Sequence, residues 1–196
     1  MMSPLAAVAV WLVSGSVALV AMEYWAEFLH RRVWHGVLWS FHRSHHEPRL
    51  GRFERNDILS STHAPVAAAL IIYGCIGAPS WLREVAYGWG FGMTAFGVLY
   101  LTFHDGVMHG RLPVQALRRV PYFDLLCRAH EIHHRKNGGP YGFFRVPPKL
   151  RARLDREPPA GPRDDEPAPG PRDDVPPASR PADAVAVRPG TAATGS

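Results

Sequence analysis

The sequence predicts an all-α protein: an integral membrane helical bundle of three or four spans, with a histidine-rich dimetal site on its cytoplasmic side and a disordered C-terminal tail. Three observations carry this. Met1–Met22, Ile58–Leu82 and Val85–Phe103 contain no charged side chain, giving uncharged stretches of 22, 25 and 19 residues, and about 20 apolar residues cross the hydrocarbon core as a helix. All eleven histidines fall between His30 and His134. All 21 aromatic residues lie at or before Phe144, whereas ten of the 19 prolines fall in the last 48 positions. The whole-chain averages, 46% hydrophobic and 20% charged, look like those of a soluble domain only because they blend two unlike regions.

The first stretch reads as a retained span rather than a cleaved signal peptide, because it lacks a basic leading region and runs directly into the histidine-bearing segment. In the second, Pro65 follows the polar run Ser60–His63, so the apolar part is Ala64–Ala78 and the helix is expected to be kinked or interfacial where it begins. The third carries Gly88, Gly92 and Gly97, small residues expected to let helices approach closely. Residues 1–148 make one membrane-embedded domain, which excludes a second catalytic or cofactor domain, and 149–196 form the tail. From Arg151 onward the chain is rich in Pro, Ala, Arg and Asp and repeats Gly-Pro-Arg-Asp-Asp at 161–165 and 170–174. Such a composition buries too little apolar surface to offset its ordering entropy.

Charge placement sets the orientation. Six basic residues lie between Glu23 and Asp57 and seven between His104 and Pro148, against Arg83 alone in the connection between the second and third stretches. By the positive-inside rule the N-terminus is outside, and the histidine segments and the tail are cytoplasmic. The net charge of +5 flanks apolar runs instead of forming an aromatic-studded patch, which argues against nucleic acid as a partner. Cys75 and Cys127 supply neither a disulfide framework nor a CxxC motif. Trp25, Trp34, Trp39 and Trp81 fit interfacial anchors.

Ten histidines repeat one pattern twice: His30 and His35, then His42, His45 and His46; His104 and His109, then His130, His133 and His134. The spacings read HxxxxH, HxxHH, HxxxxH, HxxHH. On an α-helix, positions i, i+3 and i+4 lie within an arc of about 100°, so each triplet can aim three imidazoles at one point. Positions i and i+5 lie about 140° apart. Those pairs require either a distorted turn or a metal cluster wide enough to be reached from two directions. Neutral imidazole is the commonest nitrogen ligand, and ten of them exceed what one metal can use, so two metals are expected. His63 falls outside the pattern. The run from His130 to His134 also reads HExxH, but a zinc protease needs a third protein ligand, and no histidine follows His134. A histidine-rich dimetal site at a membrane face suits iron and O2 acting on an unactivated C–H bond, with two electrons from a separate donor, since no flavin, haem or cysteine-ligated cluster motif is present.

Around these histidines stand His35-Gly36-Val37-Leu38-Trp39, the run from Ser44 to Asp57 reading SHHxPRxGxFExND, His104-Asp105-Gly106, the run from Ala129 to His134, and Tyr141-Gly142-Phe143-Phe144. With these residues the chain resembles the bacterial β-carotene hydroxylase family, within the fatty acid hydroxylase and sterol desaturase superfamily. The resemblance implies a non-haem diiron oxygenase that hydroxylates carbon 3 of carotenoid β-ionone rings, β-carotene to β-cryptoxanthin to zeaxanthin, using O2 and electrons from reduced ferredoxin. It further implies that the ten histidines are the metal ligands and that the carotenoid enters from the bilayer. The link between His134 and Tyr141 is shorter than is usual in that family and lacks its cysteine, which leaves regiochemistry and ring preference open.

Asp57 and Asp105 either orient ligand imidazoles from a second shell or cap helices. Arg49, Arg52 and Arg55 either meet an acidic ferredoxin or anchor to anionic lipid heads. The remaining alternatives are a carotenoid ketolase, a fatty acid or sterol hydroxylase on the same metal site, or, in another class, a membrane metal-binding or transport protein.

Overall fold

A computed structural model describes residues 2–48, 51 and 53–157. The described residues are helical and contain no strand: α1 (Pro4–Leu29), α2 (Trp39–His46), α3 (Asn56–Ser61), α4 (Ala64–Ile76), α5 (Trp81–Tyr100), α6 (Pro121–Lys136) and α7 (Pro148–Leu154). Two π-helical segments, His30–Val37 and Leu101–Met108, extend α1 and α5, and a short 3-10 helix, Gln115–Arg119, precedes α6.

Helix α1 begins where Ser3 Oγ accepts the Ala6 N–H at 3.3 Å and Pro4 occupies the first turn, a position that loses no helical hydrogen bond. With the π segment it forms a 34-residue unit, of which the most apolar window is only 11% buried. Leu5, Leu12, Val13, Val17 and Val20 are all exposed. The regular hydrogen bonding of α3 and α4 is interrupted at Thr62–His63, just before Pro65, where both residues keep right-handed helical dihedrals. By length and composition, Pro4–Val37 and Asn56–Ile76 are long and apolar enough to cross a membrane.

Helix α5 differs from the expected third stretch. It starts at Trp81 and takes Arg83 and Glu84 into its first turn, where Ser80 Oγ caps the Arg83 N–H at 3.2 Å. Glu84 is buried there because its carboxylate accepts from Trp11 Nε1 at 2.7 Å and from the Arg83 guanidinium. This helix packs against both α1 and α4. Close approach to α1 depends on two of the expected glycines. A Cβ on Gly88 would stand 2.1 Å from Ser14 Oγ, and one on Gly92 would stand 2.2 Å from the Gly15 carbonyl. Gly97 has open space and plays no such part, while Gly90 meets Ala67 and Ile71 of α4. The three glycines sit where a larger side chain would hold neighbouring backbones apart.

The main apolar cluster joins Met22, Ala26, Trp34, Leu59, Ala67, Met93, Phe96, Tyr100 and Phe143, so it ties the histidine-bearing ends of the long helices to the loop after α6. A second cluster packs Leu154 of α7 against Leu125, Ala129 and Ile132 of α6. The ordered body therefore extends past the boundary expected at residue 148, because Leu154 has an apolar site to fill and its carbonyl accepts from Arg128 at 2.9 Å. The rest of the expected tail, 158–196, lies outside the described residues, as do Arg49 and Arg52. Exposure of the two cysteines runs against their local sequence: Cys75, in an apolar run, is exposed, and Cys127, in a polar segment, is buried.

Candidate metal centre

The π-helical segments answer the question posed by the HxxxxH pairs. In a π-helix the hydrogen bond runs from residue i+5 back to i, which brings residues five apart onto one side. The Leu38 N–H donates to the Val33 carbonyl at 2.9 Å, and the His109 N–H donates to the His104 carbonyl at 3.0 Å, both across five residues. The wider turn is a distorted turn, one of the two arrangements that the spacing allowed. Gly36, at φ −108° and ψ −115°, then breaks the helix and turns the chain into α2.

Nine of the ten histidines gather into two groups in which the candidate ligand nitrogens lie within 4.8 Å of one another. The first holds His30, His35, His42, His46 and His133; the second holds His45, His109, His130 and His134. His104 stands beside the second, its ring 4.8 Å from His45, 4.7 Å from His109 and 4.8 Å from His130. The groups touch, with the His46 and His134 rings stacked at 4.4 Å. His63 is elsewhere, accepting from Trp25 Nε1 at 2.9 Å.

The triplets do not each converge on one point, as their spacing suggested. Helix α2 sends His42 and His46 to the first group and His45 to the second, while α6 sends His130 and His134 to the second and His133 to the first. Positions i+3 and i+4 lie on opposite sides of position i, so the arc of about 100° is wide enough for its two edges to face different centres. The result is a two-fold exchange: each half of the site lends one imidazole to the other.

Five imidazoles have a defined tautomer. The Nδ1–H of His30 donates to the Tyr141 carbonyl at 2.9 Å, that of His42 to Asn56 Oδ1 at 2.8 Å, and that of His133 to the Gly138 carbonyl at 2.7 Å. His45 donates to Glu54 Oε2 at 3.4 Å and His104 to Asp105 Oδ1 at 2.8 Å. An acceptor at Nδ1 leaves Nε2 with its lone pair, which is the metal-binding atom. In the first group His42 Nε2 lies 3.1 Å from His30 Nε2 and 3.2 Å from His46 Nε2, and His35 Nε2 lies 3.2 Å from His133 Nε2. In the second, His109 Nε2 lies 2.8 Å from His130 Nε2. Ligands about 2.1 Å from one ion and at right angles stand about 3 Å apart. Buried His45 Nε2, His46 Nδ1 and His134 Nε2 have no hydrogen-bond partner. Facing lone pairs and unpartnered buried nitrogens are costly unless a cation sits among them, so this donor set fits metal ions.

Burial favours the neutral form of several of these imidazoles. Burial, the dominant effect, pushes His42 and His134 down to about 3, with nearby imidazoles adding to it in both. His45, His109 and His130 are also held well below the ordinary range, by burial first and neighbouring histidines second. Neutral imidazole is the ligating form.

The surroundings decide several sequence-level alternatives. Asp105 accepts from His104 and from Arg111 at 3.2 Å, so it does orient a histidine. Asp57 accepts from Arg111 at 2.7 and 2.6 Å and from the Glu54 backbone N–H at 3.0 Å, combining a turn-capping bond with a link through Arg111 to Asp105. Glu131 pairs with Arg118 at 2.9 Å rather than serving the histidines, which removes the base that the HExxH reading needed. Trp34 is buried between the rings of His30 and His42 and is no interfacial anchor, because the π segment turns it inward. The Arg55 guanidinium covers the Phe41 ring at 4.6 Å. Sequence reasoning assigned no part to Glu54, Asn56, Arg111, Tyr141 or Glu23. Glu54 and Asn56 stand within the SHHxPRxGxFExND run, which was the available signal; Glu23 Oε1 accepts the Phe143 and Phe144 N–H groups at 3.1 and 2.9 Å and pins the loop whose Phe143 ring stacks on His30.

The described residues thus form a helical bundle that gathers histidines at one end into two adjacent clusters, each able to hold a metal ion. The model of the fatty acid hydroxylase family matches residues 15–147, and the chain belongs to that family. It is 43% identical over 135 residues to β-carotene hydroxylase 1, chloroplastic, of Capsicum annuum, covering 68% of this chain and 42% of that protein. It is 42% identical over 135 residues to β-carotene 3-hydroxylase 1, chloroplastic, of Arabidopsis thaliana, covering 68% and 43%. To β-carotene hydroxylase of Pantoea ananas it is 39% identical over 145 residues, covering 70% and 79%. The chain thus spans less than half the length of these plant relatives and most of the bacterial one. No solved structure matches it.

Proposed function

We propose that this protein is a membrane-embedded, O2-dependent diiron hydroxylase that acts at carbon 3 of carotenoid β-ionone rings, converting β-carotene through β-cryptoxanthin to zeaxanthin. The observation that carries this reading is the pair of touching histidine groups at one end of an apolar bundle, in a chain related to proteins named β-carotene hydroxylases. The ten histidines, His104 included, are the ligands. Two iron ions held there would supply O2 activation and the oxidation of an unactivated C–H bond. One oxygen atom enters the product as hydroxyl and the other leaves as water, which requires two electrons and two protons; reduced ferredoxin or a similar donor supplies the electrons. The chain's own part is to keep the imidazoles neutral, fix their tautomers through Tyr141, Asn56, Gly138, Glu54 and Asp105, and exclude water with Trp34, Tyr100 and Phe143.

We further read α1, α4 with α3, and α5 as three crossings, N-terminus outside and metal centre cytoplasmic. The exposed apolar side chains of α1 and α4 support a lipid environment. At about 1.5 Å per residue, the 22 uncharged residues at the start of the chain fill the hydrocarbon thickness before His30 is reached. An apolar carotenoid partitioned in the bilayer would then have its ring close to the centre. The test is expression in a β-carotene-producing host, with and without O2, and chromatography of the pigments. Hydroxylated carotenoids that appear only with O2 are expected. A ketonic carotenoid, or unchanged β-carotene beside a hydroxylated fatty acid or sterol, would overturn the assignment.

A further inference from the structure

The two histidine groups share a ligand pattern and differ in what holds the ligands. In the first, every identified acceptor at Nδ1 is neutral: the Tyr141 carbonyl for His30, the Asn56 amide oxygen for His42 and the Gly138 carbonyl for His133. On the side of the second, both identified acceptors are carboxylates, Glu54 for His45 and Asp105 for His104. These carboxylates are sheltered, with Glu54 and Asp105 side chains each 11% exposed. Arg111 lies between Asp105 and Asp57, at 3.2 Å and 2.6 Å. The histidines are equivalent by exchange of halves, His42 answering to His130 and His133 to His45, but their surroundings are not.

We propose that Glu54 and Asp105 make the two metal positions unequal, so that the position of His45, His109, His130 and His134 binds a divalent ion more tightly than that of His30, His35, His42, His46 and His133. The inference rests on the dimetal reading of the site and deepens it. A carboxylate accepting from Nδ1–H makes the imidazole a stronger donor at Nε2 than a carbonyl or amide does. Losing such an outer partner typically costs about 10–100-fold in metal affinity. Counting only the closely clustered nitrogens, five in the first group and four in the second before His104 is added beside it, points the other way. The two arguments therefore predict opposite filling orders. Glu54 and Asp105 are positioning residues, acting through His45 and His104. One short stretch of chain serves both positions: Glu54 reaches His45, while Asn56, two residues on, reaches His42 and is held to α2 by its N–H bond to Ser44 Oγ at 3.1 Å.

The test is an anaerobic cobalt(II) titration of the full chain in lipid nanodiscs after chelator treatment, following the visible d–d absorption. Two steps are expected, of about one ion each and separated by about tenfold or more. Glu54→Gln and Asp105→Asn should each weaken the tighter step by about 10–100-fold and leave the weaker one in place. Asn56→Asp, nearly isosteric, should tighten the weaker step and narrow the gap, so the idea stays testable even if the carboxylate variants fold poorly. Two equal steps, or a shift of the weaker step alone in Glu54→Gln and Asp105→Asn, would overturn the inference while leaving the dimetal centre intact. Binding of a single ion would overturn both.

Discussion

In the first half of the site His42 follows His35 by 7 positions, and the chain merely turns at Gly36 between them. In the second half His130 follows His109 by 21, with an irregular loop and a 3-10 helix in the interval. The loop leaves the π segment at Gly110, whose φ of 64° suits glycine, and is tied back by the Arg111 N–H to the Asp105 carbonyl at 2.8 Å. Yet both halves present the same sequence of π-helix and then α-helix, and both deliver their imidazoles to one centre. Ligand placement follows from helix type and rotation, and the connectors only have to return the chain. The outer partners also differ, neutral at Tyr141, Asn56 and Gly138 around the first group and carboxylate at Glu54 and Asp105 beside the second, and none of these residues lies in either connector.

The sharpest way to break this comparison is on a single helix. His42→Ala and His45→Ala lie three positions apart on α2, and each is expected to abolish product. In a cobalt titration, however, His42→Ala should remove the weaker step and His45→Ala the tighter one. Loss of the same step in both would mean that α2 does not divide its ligands.

A smaller effect is expected from the outer partner of the first group. Asn56→Ala leaves the His42 Nδ1–H without its acceptor and should weaken that metal position about 10–100-fold, measured as iron retained during dialysis against a graded chelator. Retention equal to the parent protein would show that the Asn56 contact is dispensable.

Next comes the latch that only the first half possesses. Glu23→Ala strips the acceptor from two backbone N–H groups and should cost about 1–3 kcal/mol, read as a lowered Tm in detergent. Glu23→Gln keeps an oxygen there and should recover most of the loss. If both variants melt like the parent, the Phe143–Phe144 loop is held by packing alone.

The mildest test is pH. His42 and His134 sit near 3 when folded, against about 6.5 when unfolded. The unfolded chain therefore takes up protons first, and the stability that these groups contribute is complete above about 6.5 and is lost as pH falls toward 3. Metal-free protein should show a Tm that declines steadily from pH 7 to pH 5. A flat profile would mean that these histidines are not buried as neutral groups.

Much of the site was legible because helical periodicity is local. The duplicated spacing singled out ten histidines, of which nine fall in the two groups and His104 stands beside them, and the awkward i, i+5 pairs pointed to either a distorted turn or a wide cluster. The close contacts at Gly88 and Gly92 could be read the same way. The acceptors could not: Asn56 and Glu54 reach the histidines only once Asn56 is bound to Ser44 of α2, and Tyr141 and Gly138 only once Glu23 holds the loop after α6. Nor could the sequence reveal that Arg83 and Glu84 enter α5, since Trp11, the partner of Glu84, is 73 positions away.

By itself, then, the sequence determined the helical class, the apolar stretches and the identity and spacing of the imidazoles, all properties of neighbours along the chain. Which edge of each triplet faces which group, and which groups meet a carboxylate and which an amide, was decided by the tertiary structure. Those outcomes depend on how far each packed helix is rotated about its own axis, and that rotation is set by contacts between residues far apart in sequence.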